Sequence, residues 1–462
     1  MKTQFTQYIP SLPSKARYDK VLEVILLKKH DFKLMCKFYQ NYILERMVNN
    51  MKSTPVKGTR DYLPKEVEIR DYLQNVIAET YRESGFMRIT TPIIEDAVNL
   101  DKSEGGENLN LIFRVLKRGK KLSSALEKSD VTEKELSDMG LRYDLTLPLS
   151  RYFSNNKNEL MTPFKVIQMD RVYRAERPQK GRLREFMQCD IDIIGNDSRD
   201  AEIELILTTT KALNRVGLKN YTVKINDRRI LKSIFSYAGF DEADNEKLSI
   251  IFDKLDKIGI GGVKTELEDN EFDKNAIEKF INLFEEGSLT LDSIADVCDA
   301  EYVNDLKYII DTVDKASNGT IPVEFTPSLV RGQGYYTGTI FEVAAEGYSG
   351  AVAGGGRYDN LIGKFLNQDI PAVGFSIGFE RIFGILMEQN YSIPDRKKRI
   401  AVFYDKENYA DALSYAEDLR NEYMVSVIAR PKKLGKFLNK LEQNDFDGFA
   451  VYGESDGVKL FG

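Results

Sequence analysis

Three arginines, Arg174, Arg182 and Arg184, stand close in sequence to Glu176, Asp190 and Asp192, with Phe186 among them. An arginine fork matches phosphate oxygens, a phenyl ring stacks on a base, and a carboxylate holds an ammonium group or Mg²⁺. The mixture predicts a site for a nucleotide beside a small amine. Its spacing supports a single surface. Residues 164–195 alternate with period two in two runs, broken by Pro178-Gln179-Lys180-Gly181, which is the pattern of two antiparallel strands with a loop between them. Gln168, Asp170, Val172, Arg174 and Glu176 share one face of the first run, and Phe186, Gln188, Asp190 and Asp192 one face of the second. Met187, Cys189, Ile191 and Ile193 point the other way, toward a core.

Scarce residues narrow the chemistry further. His30 is the single histidine of 462 residues, which removes Ser-His-Asp and Cys-His catalysis, His-ligated zinc and imidazole proton shuttling. Cys36, Cys189 and Cys298 are too few and too scattered for a zinc or iron–sulfur site and read as reduced thiols of a cytoplasmic protein. No metal-ligating set is assigned. Catalysis must therefore rest on carboxylates, arginines, hydroxyls and backbone amides. The balance of 66 Lys+Arg against 72 Asp+Glu gives a net charge of −6, which leaves a nucleic-acid partner open because binding depends on local patches. Arg396-Lys397-Lys398-Arg399 and Arg430-Pro431-Lys432-Lys433, continuing to Lys436, are two such patches; composition alone reads them as solvated linker or helix faces. No apolar run approaches the ~20 residues that cross a bilayer, so no membrane partner is expected.

The elements that must position these residues are partly visible. Residues 1–51 form a basic, aromatic-rich extension to which no role is assigned, with a helical pattern over about 20–47. A helix with Ile69, Leu73, Val76, Ile77 and Tyr81 at helical spacing ends at Gly85. A strand over 87–94 is interrupted by Pro92, which belongs at an edge or interface. A helix over 201–216 and a strand over 221–225 follow the two alternating runs. From about 228 to 318 helical spacings dominate and predict an inserted helical module. Strand patterns return over 329–343 and 372–377. The glycine run Gly354-Gly355-Gly356 between them reads, by itself, as a turn. From 396 to 462 strands and helices alternate, predicting a small α/β domain with a parallel sheet.

These segments carry a family resemblance. The stretch 164–192, with Arg174, Glu176, Arg182, Phe186, Gln188 and Asp192 as landmarks, resembles the second signature motif of class II aminoacyl-tRNA synthetases in its histidyl form. The helix from Ile69 with Pro92 resembles the first motif, and Gly374-Phe375-Ser376-Ile377-Gly378-Phe379-Glu380-Arg381 the third. Leu329-Val330-Arg331-Gly332-Gln333-Gly334-Tyr335-Tyr336-Thr337-Gly338 and Gly354-Gly355-Gly356-Arg357-Tyr358-Asp359 narrow the resemblance to histidyl-tRNA synthetases. Leu141-Arg142-Tyr143-Asp144-Leu145-Thr146 is similar to the eukaryote-like branch of that family. The likeness runs from about residue 57 to the C-terminus.

The resemblance implies an α+β fold. It would have a class II antiparallel catalytic core over 52–395, a helical insertion at about 228–318, and a shortened anticodon-binding-like domain over 396–462. It also implies ATP-dependent activation of L-histidine and transfer to tRNA(His), by a cytoplasmic homodimer using Mg²⁺. By motif position Arg174 and Arg331 would be catalytic, holding the α-phosphate. Glu176 would lie near the adenine, Phe186 would stack on it, and Arg182 and Arg381 would clamp the β- and γ-phosphates. Asp144, Thr146 and Gln188 would receive the α-ammonium. Asp192 and Tyr336 would meet the imidazole nitrogens, with Tyr335 and Arg331 completing the histidine pocket.

Where the family has Leu-Asp before the tyrosine pair, this chain has Gln333-Gly334. Two other readings stand beside the ligase: a catalytically silent, synthetase-like regulatory subunit of ATP phosphoribosyltransferase, and a class II enzyme for another amino acid. The first tends to lose the phosphate-clamping arginines, and the tyrosine pair with Asp192 disfavours the second.

Overall fold

In the computed structural model the described residues are 52–462, apart from 104–110, 129, 179–180, 286–288, 331–333, 367 and 455–456. The chain divides into two units, Met1–Val56 and Lys57–Gly462, and every described helix and strand belongs to the second. The helix expected over 20–47 lies outside the described residues.

The second unit opens with the helix Pro64–Glu83. Proline at its start gives up a hydrogen bond that no helix makes there, and the Glu66 carboxylate accepts the Leu63 N–H at 2.9 Å. Ile69, Leu73, Ile77 and Tyr81, four residues apart, form its buried stripe. After Gly85 the expected single strand is split about Pro92 into β1 (Met87–Arg88) and β2 (Ile94–Asp96), which join different sheets. Strands β3 (Arg114–Leu116) and β4 (Ser137–Leu141) complete a small antiparallel sheet with β2.

The main sheet holds eight strands: β1, β5 (Phe164–Tyr173), β6 (Glu185–Ile194), β7 (Tyr221–Asp227), β8 (Val323–Phe325), β9 (Thr339–Ala345), β10 (Ala351–Arg357) and β11 (Ala372–Gly378). Their order is β1-β5-β6-β11-β10-β9-β7-β8. The six central strands are antiparallel, and each edge strand pairs in parallel. One face of the sheet is apolar. Ile191 and Ile193 of β6 pack there with Ile69, Leu73 and Ile77 and with Leu205, Ile206 and Leu213 of the helix Asp200–Arg215.

Two sequence expectations need correction. The strand expected over 329–343 begins only at Thr339. Before it, the Asn226 side chain donates to the carbonyls of Pro327 and Leu329, both at 3.1 Å, so a side chain replaces ladder partners there. The glycine run lies inside β10 and is not a turn. A Cβ on Gly355 would sit 1.9 Å from the Gly374 carbonyl oxygen of β11, so only glycine lets these strands approach.

Between β7 and β8 the helices Arg228–Ala238, Asn245–Phe252, Leu255–Asp269, Lys274–Glu285 and Ala300–Ser317 form the insertion, closed over Phe235, Phe252 and Phe280. The chain ends in a four-stranded sheet of β12 (Arg399–Tyr404), β13 (Met424–Ala429), β14 (Gly448–Val451) and β15 (Lys459–Leu460). Three of its strands are parallel, as alternation predicts, and β15 adds an antiparallel edge. Lys65 pairs with Asp445 at 2.7 Å and Glu68 with Arg399 at 3.3 Å, tying this sheet to the first helix.

Candidate active site

Register places the polar face of the main sheet in rows. Val166, Asp192, Gly374, Gly356 and Ile340 form one, and Gln168, Asp190, Ser376, Gly354 and Glu342 the next. Asp170, Gln188 and Gly378 follow, then Val172 and Phe186. The rows floor a cavity of about 630 Å³. Asp144, Thr146, Arg174, Glu176, Arg182, Phe186, Gln188, Asp192, Tyr335, Tyr336 and Arg381 all line it. Arg331 lies outside the described residues, as do Gly332 and Gln333. Asp170 turns away from the cavity to the buried Arg142, at 2.8 Å.

At the basic end the Arg174 guanidinium sits 5.1 Å from the centre of the Phe186 ring, while its Nε donates to the Tyr143 carbonyl at 3.0 Å. Arg182 faces Glu176 at 3.4 Å, and Arg381 donates to the Ala351 carbonyl. Arg184 stays outside the cavity as a brace. Its N–H donates to the Gly58 carbonyl at 2.7 Å and its Nε to the Glu176 carbonyl at 3.0 Å. Gly58 has φ +89°, and an added Cβ would fall 2.8 Å from the Arg184 side chain and Pro178. Glu380 is fully committed, accepting from Arg70 Nη2 at 2.8 Å, Tyr62 Oη at 2.9 Å and the Met187 N–H at 3.2 Å.

At the acidic end Asp144, Asp190 and Asp192 are 3%, 5% and 4% exposed. Burial raises Asp144 to about 6, against the pull of the Leu147 N–H and Arg174. Burial raises Asp192 to about 7, although it accepts the Tyr358 hydroxyl at 2.7 Å. Asp190 is pushed well above the usual carboxylate range by burial and then by Asp192. Gly374 makes room for Asp192, since a Cβ there would lie 1.9 Å from its Oδ1. Tyr335 meets Thr146 Oγ1 at 3.5 Å and packs edge-on to Tyr336, with ring centres 5.0 Å apart.

Buried scaffolding fixes these groups. Arg142 donates to the carbonyls of Arg171 and Thr91, both at 2.9 Å, clamping the approach to Asp144 along β5. Arg357, 2% exposed, makes a two-pronged pair with Glu202 at 2.8 and 2.7 Å. Its carbonyl accepts the Thr337 N–H at 2.8 Å, anchoring the tyrosine loop. Three acceptor atoms on the cavity floor have no hydrogen-bond partner among the described residues: Asp144 Oδ2, Gln188 Oε1 and Asp190 Oδ1. Such a set suits a primary ammonium.

Sequence reasoning gave no role to Tyr358, Ser376, Asp253 or Lys257, which also line the cavity. Tyr358 and Ser376 lay within recognised motifs, so the register of β10 and β11 was the missing signal. Asp253 and Lys257 come from the insertion and carried no local signal at all.

An antiparallel sheet with arginines at one end of its polar face and buried acceptors at the other, built from three ordered motifs, defines a class II aminoacyl-tRNA synthetase core. The chain belongs to the histidyl-tRNA synthetase family, whose profile matches residues 58–382. It is 42% identical over 366 residues to a histidine–tRNA ligase of Leifsonia xyli subsp. xyli, covering 76% of this chain and 84% of that one. It is 33% identical over 424 residues to that of Christiangramia forsetii, covering 87% and 92%. The fold matches the crystal structure of a histidyl-tRNA synthetase from Nostoc sp. PCC 7120 with a TM-score of 0.70 at 25% identity, covering 87% of this chain and 91% of that one. A Bacillus halodurans structure titled as an ATP phosphoribosyltransferase regulatory subunit/histidyl-tRNA synthetase matches with a TM-score of 0.70 at 19% identity, covering 87% and 99%, and shares the fold alone.

Proposed function

We propose that the cavity is the site where this chain joins L-histidine to ATP, as the first half of charging tRNA(His). As a member of its family the chain is a histidine–tRNA ligase, an ATP-dependent aminoacyl-tRNA synthetase. The histidine carboxylate attacks the α-phosphorus of ATP and pyrophosphate leaves. The 3′-terminal hydroxyl of the tRNA then attacks the histidyl carbonyl and AMP leaves. Such chemistry needs positioning and charge neutralisation more than proton shuttling, which suits a chain whose single histidine, His30, lies outside the motifs.

In this reading Arg174 holds the α-phosphate and the attacking carboxylate, joined by Arg331. Phe186 stacks on the adenine with Glu176 beside it, and Arg182 and Arg381 take the β- and γ-phosphates. Asp144, Thr146 and Gln188 surround the α-ammonium. Asp192 and Tyr336 meet the imidazole nitrogens, with Tyr335 closing the pocket. A leucine or phenylalanine would strand those buried groups, a penalty that can reach about 10⁴-fold in discrimination. Mg²⁺ would supply charge neutralisation at the phosphates. Glu380 is held by Arg70, Tyr62 and Met187, while Glu176 and Glu342 also line the cavity and would offer carboxylate oxygens to the ion or its waters.

The observation that carries the proposal is the meeting of Arg174, Arg381, Asp192 and Tyr336, drawn from separated stretches, around one cavity. It also disfavours the silent regulatory reading, because the phosphate-facing arginines are in place. The test is histidine-dependent ATP–pyrophosphate exchange by the purified chain. No exchange, or faster exchange with another amino acid, overturns it.

The homodimer finds support in the small sheet. Ile94 and Met139, 49% and 38% exposed, lie on one face of it, with Leu116 and Val98 also exposed nearby. Lys432, Lys433, Lys436 and Lys440 are exposed on and beside the helix Leu434–Glu442 and offer the C-terminal domain a basic face for tRNA. The same reading makes it a cytoplasmic enzyme.

A further inference from the structure

Asp190 has no task in that mechanism, yet it is 5% exposed, lines the cavity and keeps Oδ1 without a hydrogen-bond partner among the described residues. Its neighbours in the sheet explain why. Across the pair to β5 stands Gln168, whose amide donates to the Leu145 carbonyl at 2.8 Å and whose carbonyl accepts Thr91 Oγ1 at 3.2 Å. Gln168 makes its hydrogen bonds to Leu145 and Thr91 and none to Asp190. Across the other pair, in β11, stands Ser376, whose hydroxyl accepts from Gln188 Nε2 at 3.0 Å. Ser376 thus settles the orientation of Gln188. It takes an amide hydrogen of Gln188, so that Gln188 Oε1, likewise without a partner among the described residues, is the end left to the ligand.

A buried carboxyl with an idle oxygen, close to Asp192 and Asp144, is costly in the empty protein. A cation that supplies N–H donors offsets that cost. A primary ammonium has three. Thr146 Oγ1 already faces the Tyr335 hydroxyl, whereas Asp144 Oδ2, Gln188 Oε1 and Asp190 Oδ1 have no hydrogen-bond partner among the described residues.

We propose that Asp190 contacts the substrate, taking one hydrogen of the amino acid's α-ammonium, and that Ser376, its cross-strand neighbour, is a positioning residue that turns Gln188 toward the same group. This rests on the histidine-ligase reading and adds the seat of its ammonium group. The basic end and the imidazole partners are untouched by it.

The test uses the full chain and two ligands, histidine and imidazole-4-propionate, which is histidine without its amino group. Asp190→Asn raises the KM for histidine in pyrophosphate exchange about tenfold, the scale of one charge-assisted hydrogen bond. The KM for ATP and the inhibition constant of imidazole-4-propionate stay within about twofold. Ser376→Ala raises the histidine KM about threefold with the same selectivity. Equal loss of histidine and analogue binding in Asp190→Asn would mean general damage to the pocket and overturns the proposal; so does an unchanged histidine KM. Should Asp190→Asn not fold, Ser376→Ala decides alone, and an unchanged histidine KM there overturns it. Wild-type protein without histidine-dependent exchange sinks the ligase reading itself and this proposal with it, whereas normal wild-type exchange with insensitive variants sinks only the proposal.

Discussion

The two ends of the cavity hold their charges at different depths. Arg182 is 47% exposed and its partner Glu176 23%, so the basic end meets water. Asp144, Asp190 and Asp192 are at most 5% exposed. A guanidinium stays charged at any working pH, and near water it costs little to keep so while it awaits a polyanion. A carboxyl in the interior loses hydration when it ionises, and a cationic guest offsets that cost. One end thus carries its charge at little cost before binding, whereas the other has its charged form stabilised by the guest.

The largest test of that contrast is Arg174→Ala, which removes a fixed cation from developing charge. It lowers exchange by about 10²–10³-fold with the melting temperature little changed. Near-normal exchange would show that the basic end does not act as preset charge. Gly374→Ala attacks the acidic end by driving a Cβ into Asp192 Oδ1. The histidine KM rises by roughly 10–100-fold while the ATP KM holds, the scale of losing a charged hydrogen bond. Equal rises for both substrates would erase the distinction between the ends.

A pH series sharpens it. Folded Asp144 and Asp192 titrate at about 6 and about 7, both raised by burial. Unfolded aspartate titrates near about 3.9, so across that gap the native state holds protons that the unfolded chain has released. The stability they lend is complete below the lower value and is lost as pH rises through about 6 to 7. Ligand-free protein therefore melts lower at pH 8 than at pH 5, and Asp192→Asn, with no proton to lose there, falls by less. Parallel pH profiles for the two would place the charge change elsewhere. The smallest effect comes from deleting residues 1–51. Exchange stays within about twofold, because every described residue lining the cavity lies beyond them; a folded truncation without activity would bring the extension into the site.

What was legible in the sequence follows from locality. The face shared by Phe186, Gln188, Asp190 and Asp192 is a period-two fact, readable without coordinates. The cavity residues carried by the motif landmarks were legible because motif order placed them, although nothing local said that Thr146 and Tyr335 would touch. The strand identity of residues 354–356 was hidden because glycine ordinarily weakens strands. Its reason here, a Cβ that would strike β11, exists only once the sheet is assembled. The pairing of Ser376 with Asp190 is likewise a matter of register between distant strands. Asp253 and Lys257 reach the cavity through the packing of five inserted helices, which no spacing could announce.

The helix Pro64–Glu83 carries two attachments two residues apart. Glu68 grips Arg399 of the C-terminal sheet, and Arg70 grips Glu380, the chain neighbour of Arg381. A single turn of helix is therefore the shared footing of the lysine-bearing C-terminal module and of the strand–helix junction that carries Arg381, so one short stretch of sequence positions both.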